Sequence, residues 1–453
     1  MVMLLNVAMS KQSNAQAQQK AHVCREAGGI IAASLAAMPK RASWEPLGVL
    51  ALALALVCEQ ISTVRAPMLW VLTADARAEG HAGLWGLARS ARVEESLLLT
   101  CIISPMAVSH ELPSSEPEAV VGRGGCIVPR LVSASQVVAS AGVLSTDGAH
   151  AVSGGTSGLG LLTARWLAQC GASALVLASR SGALSSHGTG ECSSLLTMNV
   201  AMHVQRCDTA ETTHCQRLVL VCHRLCGVWH AAGVLSDGVL TTQTEGSLAR
   251  VYAPKAHGAW TLRLASASLA LRACALFSSV AALLGNAGQS NYAAANACLD
   301  ALASSSRKRA QAATSVQWGA WAEVGMAARG AANERITAME EAAGFGRIGL
   351  AQGLGALQTA TLPQAPSLIG VVPVQWQRML GRGAVPAFLS GMGSIRATPR
   401  AISVIEQRAE SAISLNAVLE MVTRVAGRAV DSDAPLMEAG VDSLGAVELR
   451  NQL

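Results

Sequence analysis

Short apolar runs alternate with stretches whose apolar positions recur every three to four residues, and the rhythm is clearest from about residue 149 onward. There AHAVSG reads as a strand and LGLLTARWLAQCG as a helix with one apolar face. ALVLASR, VWHAAG, ACALFSS and TSVQWGA read as further strands. Strand, helix, strand in this order predicts an α/β fold, a doubly wound parallel sheet with helices on both faces. Ahead of residue 149 the rhythm is weaker, with PMLWVLTAD strand-like and GLWGLARSARVE helix-like. The longest apolar run, Leu47 to Cys58, stops at Glu59. It is too short to span a bilayer and predicts a buried helix.

Polar or glycine-rich stretches punctuate the pattern over residues 107–120, at a loop over residues 181–194 and at a linker within residues 381–412. The 453 residues have room for two or three domains with cores of their own. The net charge of +5 is spread along the chain without a basic block, which argues against a nucleic-acid partner. The start, MVMLLNVAMSKQ, lacks a basic region followed by a long apolar stretch. Neither secretion nor a membrane span is expected, and a cytoplasmic location is. Cys207, Cys215, Cys222 and Cys226 lie near His203, His214 and His223, but no CxxC pair anchors a zinc site. They read as small hydrophobes in a reducing compartment, and no metal is expected.

Ser153-Gly154-Gly155-Thr156-Ser157-Gly158-Leu159-Gly160 lies between a predicted strand and a predicted helix. Glycines let a backbone turn tightly and approach a pyrophosphate, and a helix N-terminus offers it free N–H groups and a positive dipole end. The loop therefore reads as a dinucleotide cradle, with Gly154, Thr156, Ser157, Gly158, Leu159 and Gly160 as expected contacts. The next strand ends Ala178-Ser179-Arg180-Ser181, where NAD-specific proteins place an acid for the ribose diol. An arginine beside two hydroxyls suits a 2′-phosphate, so NADPH is expected, held in part by Ser179 and Arg180. Asp208 follows the end of the expected third strand, placed either to bond the adenine amino group or to cap a helix.

Carbonyl reduction needs a hydride donor and an acid that protonates the developing alkoxide. Tyrosine is such an acid when a nearby cation lowers its pKa. In LFSSVAALLGNAGQSNYAAANACLDALA, Ser279 ends a strand and Tyr292 follows thirteen residues later in an alanine-rich helix. Tyr292 is one of only two tyrosines in the chain. It is the candidate proton donor, and Ser279 a hydroxyl that can hold the carbonyl oxygen.

These residues resemble the ketoreductase domains of modular (type I) polyketide synthases, within the short-chain dehydrogenase/reductase superfamily. FSSVAALLGNAGQSNYAAANACLDALA, VQWGAWAEVGMA and HAAGVLSDGVL carry the resemblance. It implies a Rossmann-like catalytic subdomain over residues 146–382, with Ala231 among the NADPH contacts. Free-standing superfamily members normally carry lysine four residues after the tyrosine, where this chain has Asn296. The polyketide-synthase members take their lysine from an earlier helix, and Lys255 in APKAHGAW matches it. The resemblance gives Lys255 the roles of lowering the Tyr292 pKa and holding the nicotinamide ribose, and Asn296 that of supporting a proton-relay water. The family's Leu-Asp-Asp motif stands here as Leu235-Ser236-Asp237. The opposite stereochemical class often has tryptophan three residues before the tyrosine, where this chain has Gln289. Retention of Asp237 points to the class that yields the D-configured alcohol.

In the same family a truncated Rossmann-like structural subdomain that binds no cofactor precedes the catalytic one. LWVLTADA, GLWGLARSARVE and GRGGCIVPRLV resemble it and give it residues 1–145, with those before about 45 unassigned. Beyond a linker over residues 383–412, SLNAVLEMVTRVAG reads as an amphipathic helix. PLMEAGVDSLGAVELRNQL resembles the attachment site of acyl carrier proteins, with Ser443 bearing 4′-phosphopantetheine at a helix N-terminus that favours the phosphodiester. Taken alone, Asp442 and Ser443 also suit a helix cap. Residues 413–453 correspond to the first half of a four-helix carrier domain, so a truncated domain and a fragment of a larger synthase are expected.

The resemblance therefore implies NADPH-dependent reduction of a carrier-tethered β-ketoacyl thioester to the β-hydroxyacyl thioester within a polyketide or fatty-acid-like synthase, with the other synthase domains as partners. A free-standing short-chain alcohol dehydrogenase is opposed by the Lys255/Asn296 arrangement and the carrier-like tail. A reductase-dead structural domain is opposed by the complete Ser279, Tyr292, Asn296 and Lys255 set.

Overall fold

A computed structural model describes residues 2–7, 22–26, 30–35, 45–62, 68–73, 81–95, 99–103, 116–122, 125–132, 148–185, 189–198, 200–324, 338, 340–381, 385, 387–395 and 422–423. The expected linker beyond residue 395 lies outside them, as does the carrier-like segment apart from residues 422–423, Ser443 included.

The first half builds β1 (Val2–Val7), β2 (His22–Glu26), β3 (Ile30–Leu35), helix α1 (Glu45–Ile61), β4 (Met68–Thr73), helix α2 (Ala82–Glu95), β5 (Leu99–Ile103), β6 (Glu118–Gly122) and β7 (Gly125–Ile127). These strands form one sheet in the order β2-β1-β3-β4-β5-β6-β7, with β2 and β7 antiparallel at its edges and the pairs between them parallel. The residues before 45, unassigned from the sequence, thus supply three of its strands.

The second half runs β8 (Ala149–Ser153), α3 (Gly158–Gln169), β9 (Ala174–Ser179), α4 (Thr189–Thr197), β10 (Ala201–Arg206), α5 (Thr212–Val221) and β11 (Leu225–His230). It continues with α6 (Glu245–Tyr252), a π-turn (Ala253–His257), α7 (Gly258–Ala265), β12 (Ala273–Ser279), α8 (Val280–Leu284), α9 (Ser290–Lys308), β13 (Thr314–Trp318), α10 (Leu350–Ala360) and β14 (Leu368–Val371). The sheet order is β10-β9-β8-β11-β12-β13-β14, every pair parallel. β8, β11 and β13 are buried along their whole length, covered on both faces as strands of a parallel sheet are. The strand order reverses between β8 and β11, where the carboxyl ends of the strands open a crevice for a ligand.

Two expectations need adjustment. The loop expected over residues 181–194 gives way to α4 from Thr189 onward, because Leu195 reaches the core that α3 shares with the sheet. The expected linker starts later than its composition implies. Residues 387–395 form a 3-10 helix whose Leu389 and Met392 pack on Leu380, and the Phe388 carbonyl accepts the Leu131 N–H at 2.9 Å.

One apolar core joins the two halves. Leu47, Leu50, Leu54 and Val57 of α1, the helix read from the longest apolar run, pack with Leu84 and Leu87 of α2. The same cluster takes in Val251, Ala293 and Ala294 from the second half. α2 comes closest to α9 at Gly86, where a Cβ would stand 2.3 Å from the Ala293 carbonyl oxygen. One turn on, Arg89 donates to Glu118 at 2.8 and 2.5 Å and to the Ala282 carbonyl at 2.6 Å. Arg92 pairs with Glu118 as well. Burial works to raise the Glu118 carboxyl, but the pull of Arg89 and Arg92 outweighs it and holds the group below its ordinary value. Among the described residues no helix is long and apolar enough to cross a membrane.

Gly86→Ala is expected to lower the unfolding free energy by about 1–3 kcal/mol, because the added methyl has to displace a backbone carbonyl rather than a side chain. Thermal unfolding checks this, and a midpoint equal to the parent's would show that α2 and α9 are not in such close contact.

Candidate active site

From Ser153 the chain turns through Gly154, at φ 70°, and Gly158, at φ 50°, into α3. Both values lie where a side chain is strained. A Cβ on Gly154 would stand 2.9 Å from the Ala232 backbone, and one on Gly160 2.2 Å from the Gly154 carbonyl oxygen. At 154 and 160 the loop is folded so tightly that only glycine fits. Ser157, the N-cap of α3, makes no side-chain cap bond, so the N–H groups of the first turn stay available to an anion. Thr156 is buried and Leu159 half-buried beside them. The cradle therefore fits a pyrophosphate.

The other expected cofactor residues line up along the same strand ends. Ser179 Oγ accepts the Gly182 N–H at 3.1 Å and pairs with Ser181 Oγ at 3.1 Å, and Arg180 is exposed. Arg206, the register partner of Ser179 on β10, is a second exposed arginine at this edge that the sequence reading passed over. Asp208 Oδ1 accepts the Ala210 N–H at 3.0 Å, and its own N–H donates to His214 Nδ1 at 3.2 Å. Glu211 is the cap of α5, so Asp208 does not cap that helix. Ala231 continues from β11 with its N–H on the Ser153 carbonyl at 3.0 Å.

Lys255 stands in the π-turn. Pro254 has no N–H for an α-helical ladder, and the wider turn absorbs the missing bond. The turn points Lys255 inward, where Nζ donates to the Phe277 carbonyl at 2.8 Å and lies 5.0 Å from the centre of the Tyr292 ring. Ser279 Oγ caps α8 by accepting the Ala281 N–H at 3.2 Å. Asn296 Nδ2 donates to the Tyr292 carbonyl at 2.8 Å. Its Oδ1 is buried and has no hydrogen-bond partner among the described residues. A buried acceptor left in that way suits a bound water.

Burial pushes Tyr292 up to about 12, against the downward pull of hydrogen bonds from Asn296 and Ser279, and the Asp237 carboxylate adds to the rise. Burial also brings Lys255 down to about 7, with only partial support from Asp300. Both charged forms lose water, and desolvation penalises each of them. Lys255 therefore stands beside Tyr292 without a fixed positive charge.

Loops at the mouth of the site are tied together. Gln289 Nε2 donates to Asp237 Oδ2 at 3.3 Å, so the two positions associated with stereochemistry touch each other. Asn291 Nδ2 donates to the Ser236 carbonyl at 2.8 Å, and the Gly238 N–H to the Gly288 carbonyl at 2.9 Å.

Two buried polar residues were missed. His230 Nε2 donates to the Lys255 carbonyl at 2.8 Å, so Nδ1 accepts from Ser153 Oγ at 2.6 Å. It joins the first residue of the glycine loop to the lysine turn. Burial brings its pKa down to about 4 and keeps the ring neutral. Glu94, wholly buried on α2, binds loop backbone on the second half. Each is a polar residue at a position that the apolar pattern marks as interior, and that mismatch is the signal that could have found them. Cys207, Cys215 and Cys222 sit in the core with Val176 and Leu218. Among the described residues no group of three or more His, Cys, Asp or Glu converges on a metal geometry.

Known proteins resemble this arrangement. Residues 148–323 match the family model described as KR domain, and residues 416–453 that of the phosphopantetheine attachment site. Polyketide synthase GfsA of Streptomyces halstedii is 34% identical over 407 residues, which are 83% of this chain and 5% of that protein. Phthioceranic/hydroxyphthioceranic acid synthase of Mycobacterium tuberculosis is 34% identical over 322 residues, 69% of this chain and 15% of its own length. The chain thus spans only a small part of these relatives. Among solved structures, A-type ketoreductases from a modular polyketide synthase align with a TM-score of 0.68 at 29% identity, covering 76% of this chain and 77% of theirs. The first ketoreductase of the tylosin polyketide synthase aligns at 0.65 and 28%, covering 82% and 84%.

A neutral His230 makes stability depend on pH. The unfolded chain takes up its proton near pH 6.5, while the folded one resists down to about 4. The contribution of His230 is therefore present above about pH 6.5 and is lost progressively as the pH falls toward about 4. Denaturation curves across that window are expected to show a shallower fall for His230→Gln than for the parent. Equal slopes would remove His230 as the source.

Proposed function

The chain carries a ketoreductase domain of the modular polyketide-synthase family with a phosphopantetheine attachment segment behind it, and from that premise we propose that it reduces a carrier-tethered β-ketoacyl thioester to the β-hydroxyacyl thioester with NADPH. The reading rests on the convergence of a glycine cradle with Ser279, Tyr292, Asn296 and Lys255 at one end of one sheet.

NADPH, when bound, supplies the hydride for the β-carbon. Gly154, Thr156, Ser157, Gly158, Leu159 and Gly160 hold its pyrophosphate, and Ala231 borders it. Ser179 and Arg180 take the 2′-phosphate through charge-assisted bonds, and Asp208 takes the adenine amino group. Tyr292 and Lys255 hold the nicotinamide ribose. The Ser279 hydroxyl orients the substrate carbonyl oxygen. Tyr292, held protonated by its raised pKa of about 12, donates its proton as negative charge develops on that oxygen. Asn296 Oδ1 holds the water that returns a proton to Tyr292. Lys255, near neutrality at about 7, can take up and release a proton at working pH, which suits the far end of that relay. Asp237 sets the side from which the acyl chain enters and favours the D-configured alcohol. Ser443 bears the phosphopantetheine arm, and other domains of a synthase supply and receive the acyl chain.

Tyr292→Phe removes the donated proton and the hydroxyl's bond to the nicotinamide ribose, and leaves the other cofactor contacts in place. It is expected to lower kcat on a β-ketoacyl thioester mimic by roughly 10²–10⁴-fold while NADPH still binds by fluorescence. Full turnover in this variant, or equal use of NADH by the parent, would overturn the corresponding part of the mechanism. A phosphopantetheinyl transferase with coenzyme A is expected to add the arm to the parent but not to Ser443→Ala. Intact mass decides the matter, and an unmodified parent would end the Ser443 assignment.

A further inference from the structure

We infer that Glu94, which belongs to the first half and touches neither cofactor nor substrate, is a positioning residue that fixes the acyl-binding loop against the Tyr292 helix. The inference rests on the reductase reading above.

Glu94 is wholly buried in the last turn of α2. Its Oε1 accepts the Leu240 N–H at 2.5 Å, and its Oε2 the Gly288 N–H at 2.7 Å. Leu240 opens the turn that follows Asp237, and Gly288 stands two residues before α9 begins. One carboxylate thus spans the two segments that carry Asp237 and Gln289, the pair already bonded to each other across the mouth. The Gly238 N–H on the Gly288 carbonyl completes the tie.

Other first-half contacts reach the same two segments. Cys58 Sγ donates to the Leu240 carbonyl at 3.2 Å, so Leu240 is held at both its N–H and its C=O. Ser90 Oγ accepts the Asn286 N–H at 3.2 Å. At Gly285, φ +78°, a Cβ would stand 2.4 Å from the Arg89 carbonyl oxygen. Packing alone would be served by an apolar residue, since burying a carboxylate is costly. Two charge-assisted bonds to backbone N–H groups instead fix two distances at once. Both contacts demand an acceptor, so the group has to present two of them, as a carboxylate does and an amide does not.

The test uses the full chain, as parent, E94Q and E94D. E94Q keeps the shape but turns one acceptor into a donor facing an N–H group. It is expected to raise KM for a β-ketoacyl thioester mimic about tenfold, in line with the sensitivity of catalysis to misplacement on the scale of an ångström. The NADPH dissociation constant is expected to stay at the parent value, and the share of the minor alcohol stereoisomer to rise. Hydrogen exchange is expected to quicken over residues 236–243 and 285–290 and to stay the same over α3. E94D keeps both acceptors on a shorter arm and is expected to recover part of the loss. It also stands in should E94Q fold poorly. Unchanged exchange in both segments, or a KM that worsens only in step with NADPH binding, would overturn the inference. A parent without NADPH-dependent reduction would instead sink the reductase reading, leaving the exchange measurement to judge the clamp.

Discussion

At Gly86 the first-half helix lies so near α9 that a single methyl would meet the Ala293 carbonyl oxygen at 2.3 Å. That approach sets where Tyr292 can be, because Tyr292 is the residue before Ala293 on the same helix. Alanines at 293, 294 and 295 let the two helices close without side chains between them. Once they have closed, Arg89 can reach the Ala282 carbonyl just past Ser279, and Glu94 can reach the segment before α9. The first half therefore acts on the chemistry without contributing a reacting group. It determines the distance between helices, and the distance between helices determines where the hydroxyls of Ser279 and Tyr292 meet.

Burial governs the charges of the site more than neighbouring charge does. Lys255, Tyr292, Asn296 and His230 are all withdrawn from water, and each titrating member moves toward its neutral form. A neutral His230 can accept from Ser153 and donate to Lys255 at the same time, which a charged ring cannot. A tyrosine held protonated keeps its proton until a stronger base develops beside it, and the proposed alkoxide is such a base. The low dielectric that makes these groups costly to charge also strengthens each hydrogen bond among them. By contrast, the cradle for the cofactor anion is made of backbone N–H groups and glycine, which carry no titrating charge to be penalised.

Periodicity and short motifs made much of this legible. Short stretches rich in apolar residues and without strict polar alternation marked the strands β8, β11, β12 and β13, because a strand covered on both faces has no polar side to alternate with. The glycine loop was readable since its strand, turn and helix are contiguous in the chain, and the spacing from Ser279 to Tyr292 spans one local connection. Lys255 was recovered only by likeness to a family, because nothing local ties it to a tyrosine 37 positions later. Residues before 45 carried too little pattern to be placed, and their strands β1, β2 and β3 pair with one another and join the rest of the sheet through β4. Glu94 and His230 showed in the sequence only as polar residues at apolar-pattern positions, because their partners stand far along the chain.

By itself, then, the sequence determined the parallel α/β fold and singled out the glycine loop, Tyr292 and Ser279 as candidates, all of them through local spacing and apolar period. Tertiary structure alone decided that Lys255 stands next to Tyr292, with both groups buried. It also decided that a carboxylate from the first half joins the two loops at the mouth. The physical reason is the same in both cases. Desolvation and long-range backbone hydrogen bonds depend on what surrounds a residue in space, and a chain records only what stands next to it in order.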